Sequence, residues 1–273
     1  MYVGSNGGSK VGTYNPATGA AINANFITGL GNPNGLLLSG NTLFETNNSG
    51  NTVGTYDATT GTVMNGSFIS GVTAPYGLAL SGNNLFVANS SNRISEYNAA
   101  TGALVSANFI TGLGAPFGLL ISGNNLYVAN ASANTVGEYN ATTGAVMNAS
   151  LITGLNNPIG LAIAGNHLFV SSWLGTNSVG EYDATSGTAI SAGFIMGLNH
   201  PEGMAVAGSA LYVANQIGGT VGEYDANSGA AINANFITGL STPSTIIVVP
   251  EPLGNFVGML CIGAAMMRRR LRA

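Results

Sequence analysis

Residues 75–112 read PYGLALSGNNLFVANSSNRISEYNAATGALVSANFITG. Four short apolar or β-branched runs stand out: LAL (78–80), LFVAN (85–89), ISEY (94–97) and LVSANFI (104–110). Gly, Asn and Ser clusters separate them, at SGNN (81–84), NSSNR (89–93) and NAATGA (98–103). Runs of this length bounded by turn residues predict strands, and no apolar period of 3.6 residues competes. In NAATGA the Asx side chain can cap its own backbone and the Gly can take positive φ, so the turn needs no ligand to explain it.

The unit recurs. LFVAN returns as MYVGS (1–5), LFETN (43–47), LYVAN (126–130), LFVSS (168–172) and LYVAN (211–215). ISEYN returns as VGTYN (11–15), VGTYD (53–57), VGEYN (136–140) and VGEYD (179–183 and 221–225). A proline leads each unit, at Pro33, Pro75, Pro116, Pro158, Pro201 and Pro243, spaced 42, 41, 42, 43 and 42 residues apart. GAAINANFITGL occurs twice unchanged, at 19–30 and 229–240. A period near 42 with four strands per unit is that of a propeller blade. The first unit lacks its leading strand and the last has only STIIVV (244–249), so 245–249 should lie beside residues 1–5 and close the ring. The expected fold class is all-β: a six-bladed β-propeller of four-stranded blades over 1–249, plus a short C-terminal apolar helix. The recurring tyrosines (Tyr14, Tyr56, Tyr97, Tyr139, Tyr182, Tyr224) read as packing between blades.

The repeat unit, P-x-G-L leading to G-N-L-[FY]-V-A-N and V-x-E-Y, resembles the NHL-type repeat of six-bladed propellers across residues 1–249. The resemblance implies fold and little about activity, since propellers host many. Gluconolactonase-like and lyase-like relatives place acids and histidines around the mouth of the central channel.

Composition narrows the functional classes. Only 6% of residues are charged while 45% are apolar, so the chain can bury a core but solvates its surface with Asn, Ser and Thr. Residues 1–249 hold two basic and nine acidic side chains, net −7, with no basic stripe for a nucleic acid. The one cysteine, Cys261, excludes an internal disulfide. No metal site and no cofactor are expected: D-x-D-x-D-G calcium spacing and G-x-S-x-G elbows are absent.

The mouth can be enumerated. The residues after the six prolines are Asn34, Tyr76, Phe117, Ile159, Glu202 and Ser244; those closing the LYVAN runs are Ser5, Asn47, Asn89, Asn130, Ser172 and Asn215. Glu202 alone is acidic, too little for metal-assisted hydrolysis. Glu202 and His200 bracket Pro201 and are the candidates for an acid–base pair; the plainer reading makes them two polar loop residues. His167 lies in the turn AGNHL on the opposite face. The loop SSWLGTNS (171–178) holds the only tryptophan, Trp173. Trp173 reads most simply as the cover of a blade junction. As a binding set, Tyr76, Phe117, Ile159 and Trp173 would form an apolar patch rimmed by Asn89, Asn130 and Asn215, suited to a sugar or peptide. Glu202 is left out of that set.

The chain ends VVPEPLGNFVGMLCIGAAMMRRRLRA. Residues 253–267 are apolar except Asn255 and would span roughly 22 Å as a helix, short of the roughly 30 Å hydrocarbon core unless the arginines snorkel. The arginines would stay cytoplasmic and the propeller outside. Pro250-Glu251-Pro252, a short apolar segment and Arg268-Arg269-Arg270 in this order resemble the PEP-CTERM sorting signal of Gram-negative bacteria. The resemblance implies an inner-membrane intermediate, processing by an exosortase, and delivery to the outer surface or extracellular matrix, often alongside exopolysaccharide production. MYVGSNGG has neither a basic n-region nor an apolar h-region, so a leader is expected upstream of Met1. The functional expectation is an exported, non-enzymatic binding or structural propeller; a propeller lyase or hydrolase acting at the channel mouth is the alternative.

Overall fold

The computed structural model describes residues 1–249. The predicted apolar helix over 253–267 and the sorting motif lie outside the described residues. Within them, six four-stranded antiparallel sheets form a six-bladed β-propeller. Blades 1 to 5 span 33–70, 75–110, 116–152, 158–195 and 201–237. Blade 6 is composite: Pro243–Ile247 is its innermost strand, followed outward by Tyr2–Ser5, Lys10–Tyr14 and Ala21–Thr28. The pairing is antiparallel, with Tyr2 opposite Ile247, Val3 opposite Ile246 and Gly4 opposite Thr245. The strand stops at Ile247 rather than Val249 because the partner strand begins at Tyr2.

The alternation within each strand divides the side chains between two blade interfaces, which gives six separate apolar cores rather than one. The core between blades 3 and 4 shows the rule: Tyr127, Ala129, Val136 and Ile152 face Leu161, Leu168, Val170 and Tyr182. The recurring tyrosines lie in these interfaces, between 3% and 8% exposed. Each buried aliphatic side chain contributes about 1.5–3 kcal/mol. Five third strands carry a glycine two residues before the tyrosine, and the ring folds back over it; a Cβ on Gly137 would lie 2.8 Å from Tyr139 Cε2. Blade 2 has Ser95 there, whose hydroxyl donates to Ala107 O at 2.8 Å.

The Asx turns form as the sequence implies. Asp57 Oδ1 accepts the backbone N–H groups of Thr59 and Thr60 at 2.9 and 2.8 Å. Asp183 and Asp225 repeat the arrangement. In five blades the next residue donates its N–H to the hairpin joining the first two strands, as Ala58 does to Asn41 O at 2.9 Å. In blade 6 that hairpin is interrupted by the ring closure, and the residue is Pro16, which has no N–H to leave unpaired.

One residue breaks the interior pattern. Glu45 occupies the site held by Val3, Val87, Val128, Val170 and Val213 in the other blades, and it is fully buried. Among the described residues neither carboxyl oxygen has a hydrogen-bond partner. Burial pushes its pKa up to about 8, so it is carried as the neutral acid at neutral pH.

Candidate functional site

The innermost strands run so close around the axis that backbone meets backbone. A Cβ on Gly77, Gly118 or Gly160 would lie 2.2, 2.2 or 2.0 Å from the carbonyl oxygen of Phe117, Ile159 or Glu202 in the next blade. That contact, not turn geometry, requires glycine in the P-x-G unit. Hydroxyl groups stitch the same seam: Thr46 Oγ1 donates to Tyr76 O at 2.8 Å and Ser171 Oγ to Glu202 O at 2.9 Å. The channel narrows to a cavity of about 120 Å³.

Above it opens a depression of about 340 Å³ to which all six blades contribute, at the small end of the usual size for ligand sites. One wall is aromatic and apolar. Tyr76 and Phe117 stack with ring centroids 4.4 Å apart, beside Ile159. The opposite side is amide-rich: Asn6 Nδ2 donates to Asn34 Oδ1 at 2.7 Å, and both line the depression. Phe117, Ile159, Asn34 and Glu202 line both the depression and the channel cavity beneath.

Three residues that depart from the repeat converge at this mouth. The Trp173 indole Nε1–H donates to Gln216 Oε1 at 3.2 Å, and Gln216 Nε2 donates to Glu202 Oε2 at 2.7 Å. The chain crosses from blade 4 to blade 5, so Trp173 both covers a blade junction and lines the depression. Glu202 is 3% exposed. Burial raises its pKa to about 8 against the opposing hydrogen bond from Gln216. A carboxyl group otherwise able to ionise is thus neutral at pH 7.

The structure brings Tyr76, Phe117, Ile159 and Trp173 together, with Glu202 among them. It does not bring Asn89, Asn130 and Asn215 to the depression. These are 2%, 3% and 5% exposed and are not in its lining: Asn89 Oδ1 accepts Ser91 N–H at 3.1 Å and Asn215 Nδ2 donates to Thr220 Oγ1 at 3.3 Å. A one-residue step reverses the face of an extended chain, and the mouth is lined by the following position instead, Asn6, Ala131, Trp173 and Gln216. His200 and Glu202 are not joined by a hydrogen bond. The His200 ring meets Trp173 edge-on, centroids 4.9 Å apart, and its Nδ1 lies 3.3 Å from Asn199 Oδ1. The predicted acid–base pair is therefore not assembled by direct contact. His167 Nδ1 lies 2.6 Å from Glu181 Oε1, away from the mouth. Among the described residues no three His, Cys, Asp or Glu side chains gather as metal ligands.

Residues 49–147 match a family profile described as outer membrane protein assembly factor BamB. No curated protein matches the chain in sequence. Solved structures of similar shape include the nidogen/laminin complex, with 17% identity, a TM-score of 0.74, and coverage of 90% of this chain and 98% of that one. A catalytically inactive variant of virginiamycin B lyase from Staphylococcus aureus with quinupristin is 18% identical with a TM-score of 0.66, covering 89% and 83%. The computationally designed Ika8 protein is 14% identical with a TM-score of 0.58, covering 90% and 74%. At these identities the likeness is one of fold, and what the described chain is, on all three counts, is a β-propeller.

Proposed function

We propose that the chain is an exported propeller of the cell surface or extracellular matrix, non-enzymatic, which holds an extracellular polysaccharide or a peptide in its mouth. The observation that carries this reading is the make-up of the depression: stacked rings on one side, side-chain amides on the other, and one carboxyl group kept neutral. Ring faces and amides hold hydroxyl- and amide-bearing ligands, whereas hydrolysis or elimination calls for a matched acid and base. The competing reading, a propeller lyase or hydrolase using Glu202 and His200, draws on the fold it shares with virginiamycin B lyase; it must engage two side chains of which one is turned to Trp173 and Asn199.

The export part rests on the sequence. Pro250-Glu251-Pro252, the apolar stretch and the arginine cluster support a PEP-CTERM signal, with exosortase processing and transient residence in the inner membrane. The profile match, whose description names an outer membrane assembly factor, accords with it. The binding test is retention of the full-length chain on the producer's extracellular polysaccharide. Trp173→Ala and Phe117→Ala should each lower retention about tenfold. No retention of the wild type removes the polysaccharide reading, and turnover lost in Glu202→Gln promotes the enzyme.

A further inference from the structure

Resting on the binding reading, we propose that the mouth selects a ligand carrying a primary amine, whose ammonium group is received by the Glu202 carboxyl between the aromatic rings of the depression. The class this names is an amino-sugar polymer with free amino groups, in preference to its N-acetylated or neutral counterpart.

The argument starts from what the other blades do. The residues equivalent to Glu202 are Asn34, Tyr76, Phe117, Ile159 and Ser244, all uncharged. For a ligand with only hydroxyl and amide groups, an amide at position 202 would serve at lower cost than a buried acid. Glu202 is nevertheless present and braced: Gln216 holds one oxygen, and Trp173 holds Gln216. Among the described residues the second oxygen has no protein hydrogen bond, and the residue borders both the depression and the cavity below. Among the described residues no cation answers it. Lys10 and Arg93, the only basic side chains in 1–249, are bonded to Asn25 and Asn108 on outermost strands. Among the described residues Tyr76 is the only other titratable side chain lining the depression; His200 is not part of the lining and meets the Trp173 ring edge-on. An ammonium group supplies the missing charge and three donors, and the faces of Trp173, Tyr76 and Phe117 suit a cation. The amides of Asn6, Asn34 and Asn157 remain for hydroxyl groups.

Binding then has a protonic signature. With its pKa near 8, Glu202 is about nine-tenths protonated at pH 7. Receiving an ammonium ionises it: the carboxyl proton passes to the buffer where the amine arrives already charged, as at about pH 5.5, and to the amine itself where it arrives neutral.

The test is isothermal titration calorimetry of the full-length chain at about pH 5.5, where the amine is charged and Glu202 is still protonated, with glucosamine oligomers and with N-acetylglucosamine oligomers, in two buffers of different ionisation enthalpy. The expected result is preference for the free amine by about tenfold or more, release of close to one proton per site, and loss of both in Glu202→Gln. Glucosamine binding without proton release, or equal binding of both oligomers, overturns the amine assignment even if polysaccharide retention stands. The wild-type proton count needs no variant to fold. Binding of neither oligomer also overturns it; retention on the producer's polysaccharide then tells separately whether the binding reading survives.

Discussion

Gly160 of blade 4 lies against the backbone of Glu202 in blade 5, so close that a Cβ at residue 160 would stand 2.0 Å from the Glu202 carbonyl oxygen. Ser171 ties the same two residues, accepting Gly160 N–H at 2.7 Å and donating to Glu202 O at 2.9 Å. The position of the one carboxyl group in the mouth is therefore set by a backbone contact between blades. Gly160→Ala cannot be absorbed by a side-chain rotation, because the obstacle is main chain. It should cost about 3 kcal/mol of stability, read by denaturant unfolding. Gly165→Ala, at a turn glycine with φ of 59° and open space around it, serves as a control for backbone strain without the clash. Equal losses in the two variants would show that the inter-blade approach is not what requires glycine.

Glu45 is a defect that the repeat itself shows how to mend. Five of six blades place valine there, and the glutamate is fully buried with both oxygens unpartnered. Glu45→Val restores the apolar interface between blades 6 and 1 and removes an unsatisfied acid. A gain of about 2 kcal/mol is expected at neutral pH. Thermal unfolding checks it, and a loss of stability would mean that the carboxyl has a partner essential to the fold.

The buried acids also set a pH dependence. Glu45 and Glu202 have pKa values raised by burial from 4.5 to about 8. Their native states hold protons that the unfolded chain has released. Their contribution is complete below about 4.5 and is lost as pH rises through about 8. Asp57, Asp183 and Asp225 act in the opposite sense: hydrogen bonds from their own turns, chiefly from Thr60, Ser186 and Ser228, hold them below 3.8. What they add is present above 3.8 and lost as pH falls below it. The melting temperature should therefore peak between about pH 4 and 5 and decline toward pH 8. Glu45→Val combined with Glu202→Gln should flatten that decline. A melting temperature that rises from pH 5 to pH 8 in the wild type contradicts the assignment of both acids.

The fold was legible because each blade repeats the same turn and strand chemistry, from the proline-led strand to the Asx turn after each tyrosine. The strand that closes blade 6 was legible too, since MYVGS reads as the second strand of a blade and STIIVV as the first. The site was half legible. Tyr76, Phe117 and Ile159 follow from their places in the unit, and Trp173 from its departure from it. Asn89, Asn130 and Asn215 stand outside the depression because the last residue of a strand and the first of its loop face opposite ways, and sequence position alone does not say which one turns inward. Gln216 carried a usable signal: aligned on the LYVAN runs it falls in the same column as Trp173, where Asn6, Asn48, Ser90 and Ala131 also stand. Its link to Glu202 lies within blade 5, where the pairing of Pro201 with Asn215 brings the two side chains together, whereas its link to Trp173 depends on blades 4 and 5 meeting at the axis, which no local pattern encodes. Glu45 was visible as an oddity in LFETN; that it finds no partner is a property of the packed interface.

Trp173 is the only tryptophan in the chain and it lines the depression, so its fluorescence reports on the mouth alone. Titrating the full-length chain with the solubilised extracellular polysaccharide of the producing cell tests the binding claim most directly. The account predicts a saturable change in Trp173 emission, weakened about tenfold by Phe117→Ala, with the polymer recovered at unchanged length. Emission that stays constant at saturating polymer, or polymer shortened by the wild type and left intact by Glu202→Gln, would contradict it.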